Sequence, residues 1–133
     1  MVKIISGKKG SGKTKLLIEA IHAAAAKSGG NVVAIQKGTE LNLDIDHKVR
    51  LINIDDYKVT TPPALYGFVA GILASDYDCT DIFVDGTLRI VGRDAEALVP
   101  VLDAISDVSG SAVVTLTVSE DADTLPAGVK QYF

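Results

Sequence analysis

Short apolar runs alternate with longer stretches of helical periodicity from one end of the chain to the other. Val2-Lys3-Ile4-Ile5 predicts a short buried strand. Residues 14 to about 27 predict a helix carrying Leu16, Leu17, Ile21 and an alanine run. Gly29-Gly30 then predicts a left-handed glycine cap at its end. Residues 31–35 read as a second buried strand, and residues 49–54 as a third that runs into Asp55-Asp56-Tyr57. The polar stretch 38–48 between them reads as a loop, although Leu41-Asn42-Leu43-Asp44-Ile45 alternates as an edge strand does.

Thr60-Thr61-Pro62-Pro63 has the hydroxyl cap and first-turn proline of a helix start. That helix is expected to run through Leu65, Tyr66, Phe68, Val69, Ile72 and Leu73 to about Ser75. Gly67 and Gly71 lie one turn apart on it, a spacing that suits close packing onto a sheet. Asp81-Ile82-Phe83-Val84-Asp85 is a fourth strand ending in an acid, and Arg89 and Arg93 fall on the loop beyond it. Asp94 is expected to cap a helix reaching about Val108, with Pro100 as an internal kink. Residues 111–118 form the last strand, and in the tail 125–133 Tyr132 and Phe133 are expected to dock on the body. Strands alternating with helices predict an α/β fold. The expected form is a three-layer α/β/α sandwich with a mostly parallel sheet of about five strands, in one domain spanning residues 1–133.

Composition sharpens this picture. Hydrophobic residues make up 47% of 133 and aromatics only 5%, the composition of a parallel sheet buried under helices. The net charge of −4 argues against a nucleic-acid partner held by the overall field. A single cysteine, Cys79, excludes an internal disulfide, and His22 and His47 show no metal-ligand spacing with it. The longest apolar stretch, residues 64–74, is too short to span a bilayer, and it reads as a buried helix or one that meets a partner. No secretory leader is read at the N-terminus, so a cytoplasmic setting is expected.

Between the first strand and the first helix stands Gly7-Lys8-Lys9-Gly10-Ser11-Gly12-Lys13-Thr14, the pattern G-x-x-x-x-G-K-T of a phosphate-binding P-loop. Its glycines allow successive N–H groups to turn inward around an anion, and the helix that follows adds its positive dipole end. Lys13 is expected to reach the β- and γ-phosphates and the Thr14 hydroxyl to ligate Mg²⁺, with Lys15 completing the basic segment. Asp85 is the second metal candidate, on a strand neighbouring the loop's own; its alternative role is to cap the Gly86-Thr87 turn. Gly86 stands where many ATP-hydrolysing proteins of this kind place a water-orienting glutamate.

For the missing base the sequence offers Asp55, Asp56 and Glu120 at strand ends and Asp94 at a helix start. Asp56 is taken as the catalytic candidate beside Lys13 and Asp85, against the plainer reading of a solvated turn. Thr115 or Thr117 is a candidate to sense the γ-phosphate, unless both are simply good strand formers. Arg89 and Arg93 either neutralise charge on a transferred phosphoryl group or are surface arginines beside a helix start.

Residues 4–15 together with Phe83-Val84-Asp85 resemble the P-loop NTPase superfamily, and element order extends that resemblance over the whole chain. More closely, the loop, Ile54-Asp55-Asp56-Tyr57, Tyr66-Gly67-Phe68 and Ile82-Phe83-Val84-Asp85-Gly86 resemble small bacterial P-loop proteins labelled PilT-type twitching-motility ATPases. The resemblance implies a P-loop NTPase core that binds ATP with Mg²⁺. The acidic and histidine boxes and the water-activating glutamate of retraction motors are absent, as are an Asn-Lys-x-Asp guanine motif and a Leu-Ser-Gly-Gly signature. A small switch or assembly ATPase with slow hydrolysis is therefore expected, acting alone, as a homo-oligomer or with a protein partner. The alternatives are a nucleoside-like small-molecule kinase, and a non-hydrolysing module stabilised by its nucleotide.

Overall fold

The row Ile4, Leu116, Val84, Ile35 and Ile52 crosses five strands in register, each residue directly beside the next. These strands are β1 (Val2–Ser6), β2 (Asn31–Gln36), β3 (Arg50–Asn53), β4 (Cys79–Val84) and β5 (Val113–Val118). All pairings are parallel, in the order β1-β5-β4-β2-β3. The computed structural model describes residues 1–39, 41–42 and 44–133.

Because successive side chains of a strand alternate, the sheet has two apolar faces. Ile4, Leu116, Val84 and Ile35 face α2 (Pro62–Ser75) and α4 (Leu98–Val108), where Leu65, Val69, Leu98, Leu102 and Ile105 complete a core. Phe83, Ala34 and Val32 face the other way, onto Leu17 and Ile21 of α1 (Lys13–Lys27). Helices thus cover both faces. Each fully buried Leu or Ile here contributes about 1.5–3 kcal/mol, so the two faces supply most of the drive to fold.

Several sequence expectations are corrected. Alternation at 41–45 does not make a strand: Leu41, Asn42 and Asp44 lie in turns, and Leu43 lies outside the described residues. Buried Gln36 organises this loop instead, accepting from the Leu41 N–H at 2.9 Å and donating to Asn42 Oδ1 at 2.7 Å. α1 ends at Ser28 in extended conformation, with no left-handed glycine after it. Gly30 is needed because a side chain there would run into the Asp78 carbonyl.

Gly67 and Gly71 of α2 do not pack on the sheet; a Cβ at either would project into open space. The packing stripe is Leu65, Val69 and their partly buried neighbours. Thr61 does cap this helix, accepting from the Ala64 N–H at 3.3 Å. Pro100 is no kink: Asp94 caps a short turn at Ala95–Ala97, and Pro100 is the third residue of α4, within its first turn, where proline is tolerated. The segment carrying Arg89 is helical rather than a loop, forming α3 (Thr87–Val91) with Leu88, Ile90 and Val91 buried.

In the tail, α5 (Ala127–Lys130) leads to Tyr132, whose carbonyl accepts from the Ile4 N–H on β1 at 2.8 Å. The Tyr132 hydroxyl donates to the Asp103 carboxylate. Phe133 stays 54% exposed, so only the first of the two tail aromatics docks as expected. Among the described residues, no helix is long and apolar enough to cross a membrane.

Candidate functional site

The chain leaves β1 through a glycine-rich turn and re-enters regular structure at Lys13. Gly10 and Gly12 adopt φ of +84° and +91°, a region that disfavours any residue with a Cβ. These two residues bend the loop back onto the axis of α1. The Gly7 N–H donates to the Val118 and Glu120 carbonyls at 3.3 and 3.1 Å, tying the loop to the end of β5. Inside the loop the Ser11 N–H donates to the Lys8 carbonyl at 3.0 Å, and Lys13 Nζ donates to the same oxygen at 2.9 Å. The first turn of α1 has no side-chain cap, so its N–H groups and dipole remain directed at the loop.

Lys13 is buried, at 8% exposure, although it carries a cation. Desolvation lowers its ammonium pKa; Asp85 pulls it back up and Arg89 pushes it further down. Lys13 and Asp85, distant in sequence, line one cavity.

Asp85 does not lie on the strand next to β1, as the sequence suggested: β5 stands between β1 and β4. Two strand spacings put the loop and the acid about 10 Å apart, across the carboxyl ends of the sheet. A cavity of about 510 Å³ fills that interval, lined by Lys9, Gly10, Gly12, Lys13, Thr14, Asp85, Gly86, Arg89, Arg93 and Ser119. Four cations and one carboxylate line it, in a chain whose net charge is −4. The cavity wall therefore carries a net positive charge within an acidic chain.

Asp85 is 5% exposed and its Oδ1 accepts from the Thr117 hydroxyl at 2.9 Å. The same Thr117 oxygen accepts from the Gly86 N–H at 2.8 Å. Thr117 is therefore more than a strand former: it positions the acid and the turn after it. Asp85 Oδ2 faces Arg89 Nη2 at 4.0 Å.

The remaining candidates divide cleanly. Lys8 sends its ammonium to Asp121 at 3.6 Å and contributes to the loop through its carbonyl. Lys15 is exposed on α1, and Ser11 closes the turn through its backbone; neither lines the cavity. Asp55 and Asp56 are not brought to the site. They sit on the turn Ile54–Tyr57 after β3, the opposite edge of the sheet, four strand spacings or about 19 Å from β1. Asp55 is paired there with Lys37 at 2.7 Å, and Asp56 is exposed. Glu120 serves through its carbonyl, and Asp94 caps a turn. Ser119 is not marked in the sequence, because nothing local distinguishes the residue after a strand whose place in the sheet is unknown.

A divalent cation would find the Thr14 hydroxyl and the Asp85 carboxylate on the wall of one cavity. Among the described residues no cluster of three or more His, Cys, Asp or Glu forms a complete metal cage. Two oxygen donors and open space fit Mg²⁺, which keeps waters and takes phosphate oxygens as its other ligands. No protein-family model and no curated protein sequence matches the chain.

Proposed function

We propose that this chain is a P-loop nucleotide-binding protein that takes ATP with Mg²⁺ and hydrolyses it slowly, as a small switch or assembly ATPase. The observation that carries this reading is the convergence of Lys9, Gly10, Gly12, Lys13 and Thr14 with Asp85 on one cation-lined cavity. The loop's N–H groups and Lys13 would bind phosphate oxygens, and Thr14 and Asp85 would hold the metal that neutralises the charge of the phosphates. Slow turnover follows from the lining: among the described residues Asp85 is its only carboxylate, and it is already engaged by Thr117. No second carboxylate in that lining stands ready to orient a water.

That same observation supports the non-hydrolysing, nucleotide-stabilised module as the second reading. It weakens the kinase reading, because Asp55 and Asp56, the acids offered as its base, lie at the other edge of the sheet.

The test compares the wild-type chain with Lys13→Ala for ATP and GTP binding and turnover in Mg²⁺. At ATP a hundred times its Kd, binding to the folded state should stabilise it by about 2.7 kcal/mol, measurable as a rise in Tm. Lys13→Ala should lose that rise while keeping the fold. Binding without turnover favours the second reading, and no binding by the wild type refutes both.

A further inference from the structure

α2 and α4 share one face of the sheet, whereas α1 is the only described helix packed on the other. A helix is about 10 Å across and strands lie about 4.8 Å apart, so one helix covers about two strands. α1 covers β4 and β2, seating Leu17 and Ile21 on Phe83, Ala34 and Val32. β1 and β5 keep a groove of about 690 Å³ on that face. Ile5 of β1 with Val113 and Thr115 of β5 form its floor, and Ala20, Ala23 and Ala24 of α1 form one wall. The groove thus runs beside a helix and is itself about as wide as one.

Toward this groove α1 is apolar. Leu16 lies one turn before Ala20 on the same stripe and is 54% exposed. Glu19 is the only acid of α1. It lies two residues from both Leu17 and Ile21, which point at the sheet, so it is exposed on the outer side of the helix. Lys3 stands on the groove floor at β1. Among the described residues neither Lys3 nor Glu19 forms an ion pair.

We infer that a second copy of this chain fills the groove with its α1, so that two α1 helices lie side by side between two sheets. A two-fold axis along the strands sets each α1 over the other copy's β1 and β5. The contact is self-complementary, because the surface that supplies the helix also supplies the gap beside it. Leu16 and the alanines of each stripe leave water together and form the apolar centre of the contact. Glu19 of each copy, on the outer side of its helix, is turned toward the floor that carries the other copy's Lys3. Opposite charges at two symmetric points fix the register of the pair. This association stands on the groove and α1 alone and does not depend on nucleotide binding.

The test measures the oligomeric state of the full chain by sedimentation velocity over a concentration series, with folding followed by far-UV circular dichroism. Wild type should dimerise, and Leu16→Asp, at an exposed position, should stay folded and monomeric. Lys3→Glu and Glu19→Lys should each raise the dimer Kd about tenfold, since each places like charges at both symmetric points. Mixing these two variants should restore wild-type affinity, because the heterodimer regains opposite charges at both points. That rescue distinguishes the contact between α1 and the groove from association through any other surface. A monomeric wild type overturns the inference and leaves the groove to an occupant other than this chain. Dimers that survive Leu16→Asp unchanged, or a mixture no tighter than its components, overturn it equally.

Discussion

Thr117 and Asp85 share a buried hydrogen bond of 2.9 Å at the carboxyl ends of adjacent strands, and the Thr117 hydroxyl accepts from the Gly86 N–H at the same time. One side chain thereby orients the acid of the cavity and fixes the left-handed turn that follows it. Thr117→Val keeps the strand preference and shape but leaves both a buried N–H and a buried carboxylate oxygen without this partner. A loss of about 1–3 kcal/mol in unfolding free energy is expected from denaturant titration. An unchanged midpoint would show that Thr117 is merely a strand former.

Asp56 tests how far the cavity extends. It lies beyond β3, at the edge of the sheet opposite the loop after β1. Asp56→Asn should leave nucleotide affinity and any turnover within about twofold of wild type, the outcome for a solvated turn acid remote from the cavity. A fall in turnover of about tenfold, or about 1.4 kcal/mol of barrier, would return the acid to the catalytic role that its position in the sequence suggested.

The glycines of α2 offer a stability test with a definite sign. Gly67 and Gly71 are helical, exposed and free of close neighbours at the Cβ position. Gly67→Ala and Gly71→Ala should each stabilise the fold by about 0.5–1 kcal/mol, since glycine loses more backbone freedom on folding. Destabilisation by either would mean that a neighbour packs against this face in solution.

Tyr132 supplies a pH signature. Burial, reinforced by the Asp103 carboxylate, pushes its phenol from 10.0 up to about 12. The folded state therefore holds this proton more tightly than the unfolded chain does. Its contribution is fully present below pH 10 and is lost as pH rises through about 12. Unfolding free energy between those limits should fall less steeply with pH for Tyr132→Phe than for wild type. Parallel pH profiles would remove the proton linkage from the tail's attachment.

Much of the fold is legible in the chain's local patterns. Strands at 31–36 and 113–118, the proline-led helix from Pro62 and the loop into Lys13 all follow from signals within about fifteen residues, which act through backbone preference and one-sided burial. Where local patterns mislead, a particular contact or the burial of a side chain in the folded chain overrules them. Gly30 makes room for the Asp78 carbonyl, the Leu41 alternation yields to the buried Gln36 amide, and the segment after Asp85 becomes helical under the burial of Leu88, Ile90 and Val91.

The site divides in the same way. Residues 7–14 match the spacing expected of a phosphate loop, and their glycine conformations and the helix start are properties of contiguous chain. Which of Asp85 and Asp56 lines the cavity is not a local matter. It depends on β5 entering the sheet between β1 and β4 while β3 goes to the far edge. That order is set by which faces bury together, and no strand carries it in its own residues. The same packing brings Thr117 to Asp85 and lays Arg89 over Gly86, so the partners of the acid emerge only when the sheet is assembled.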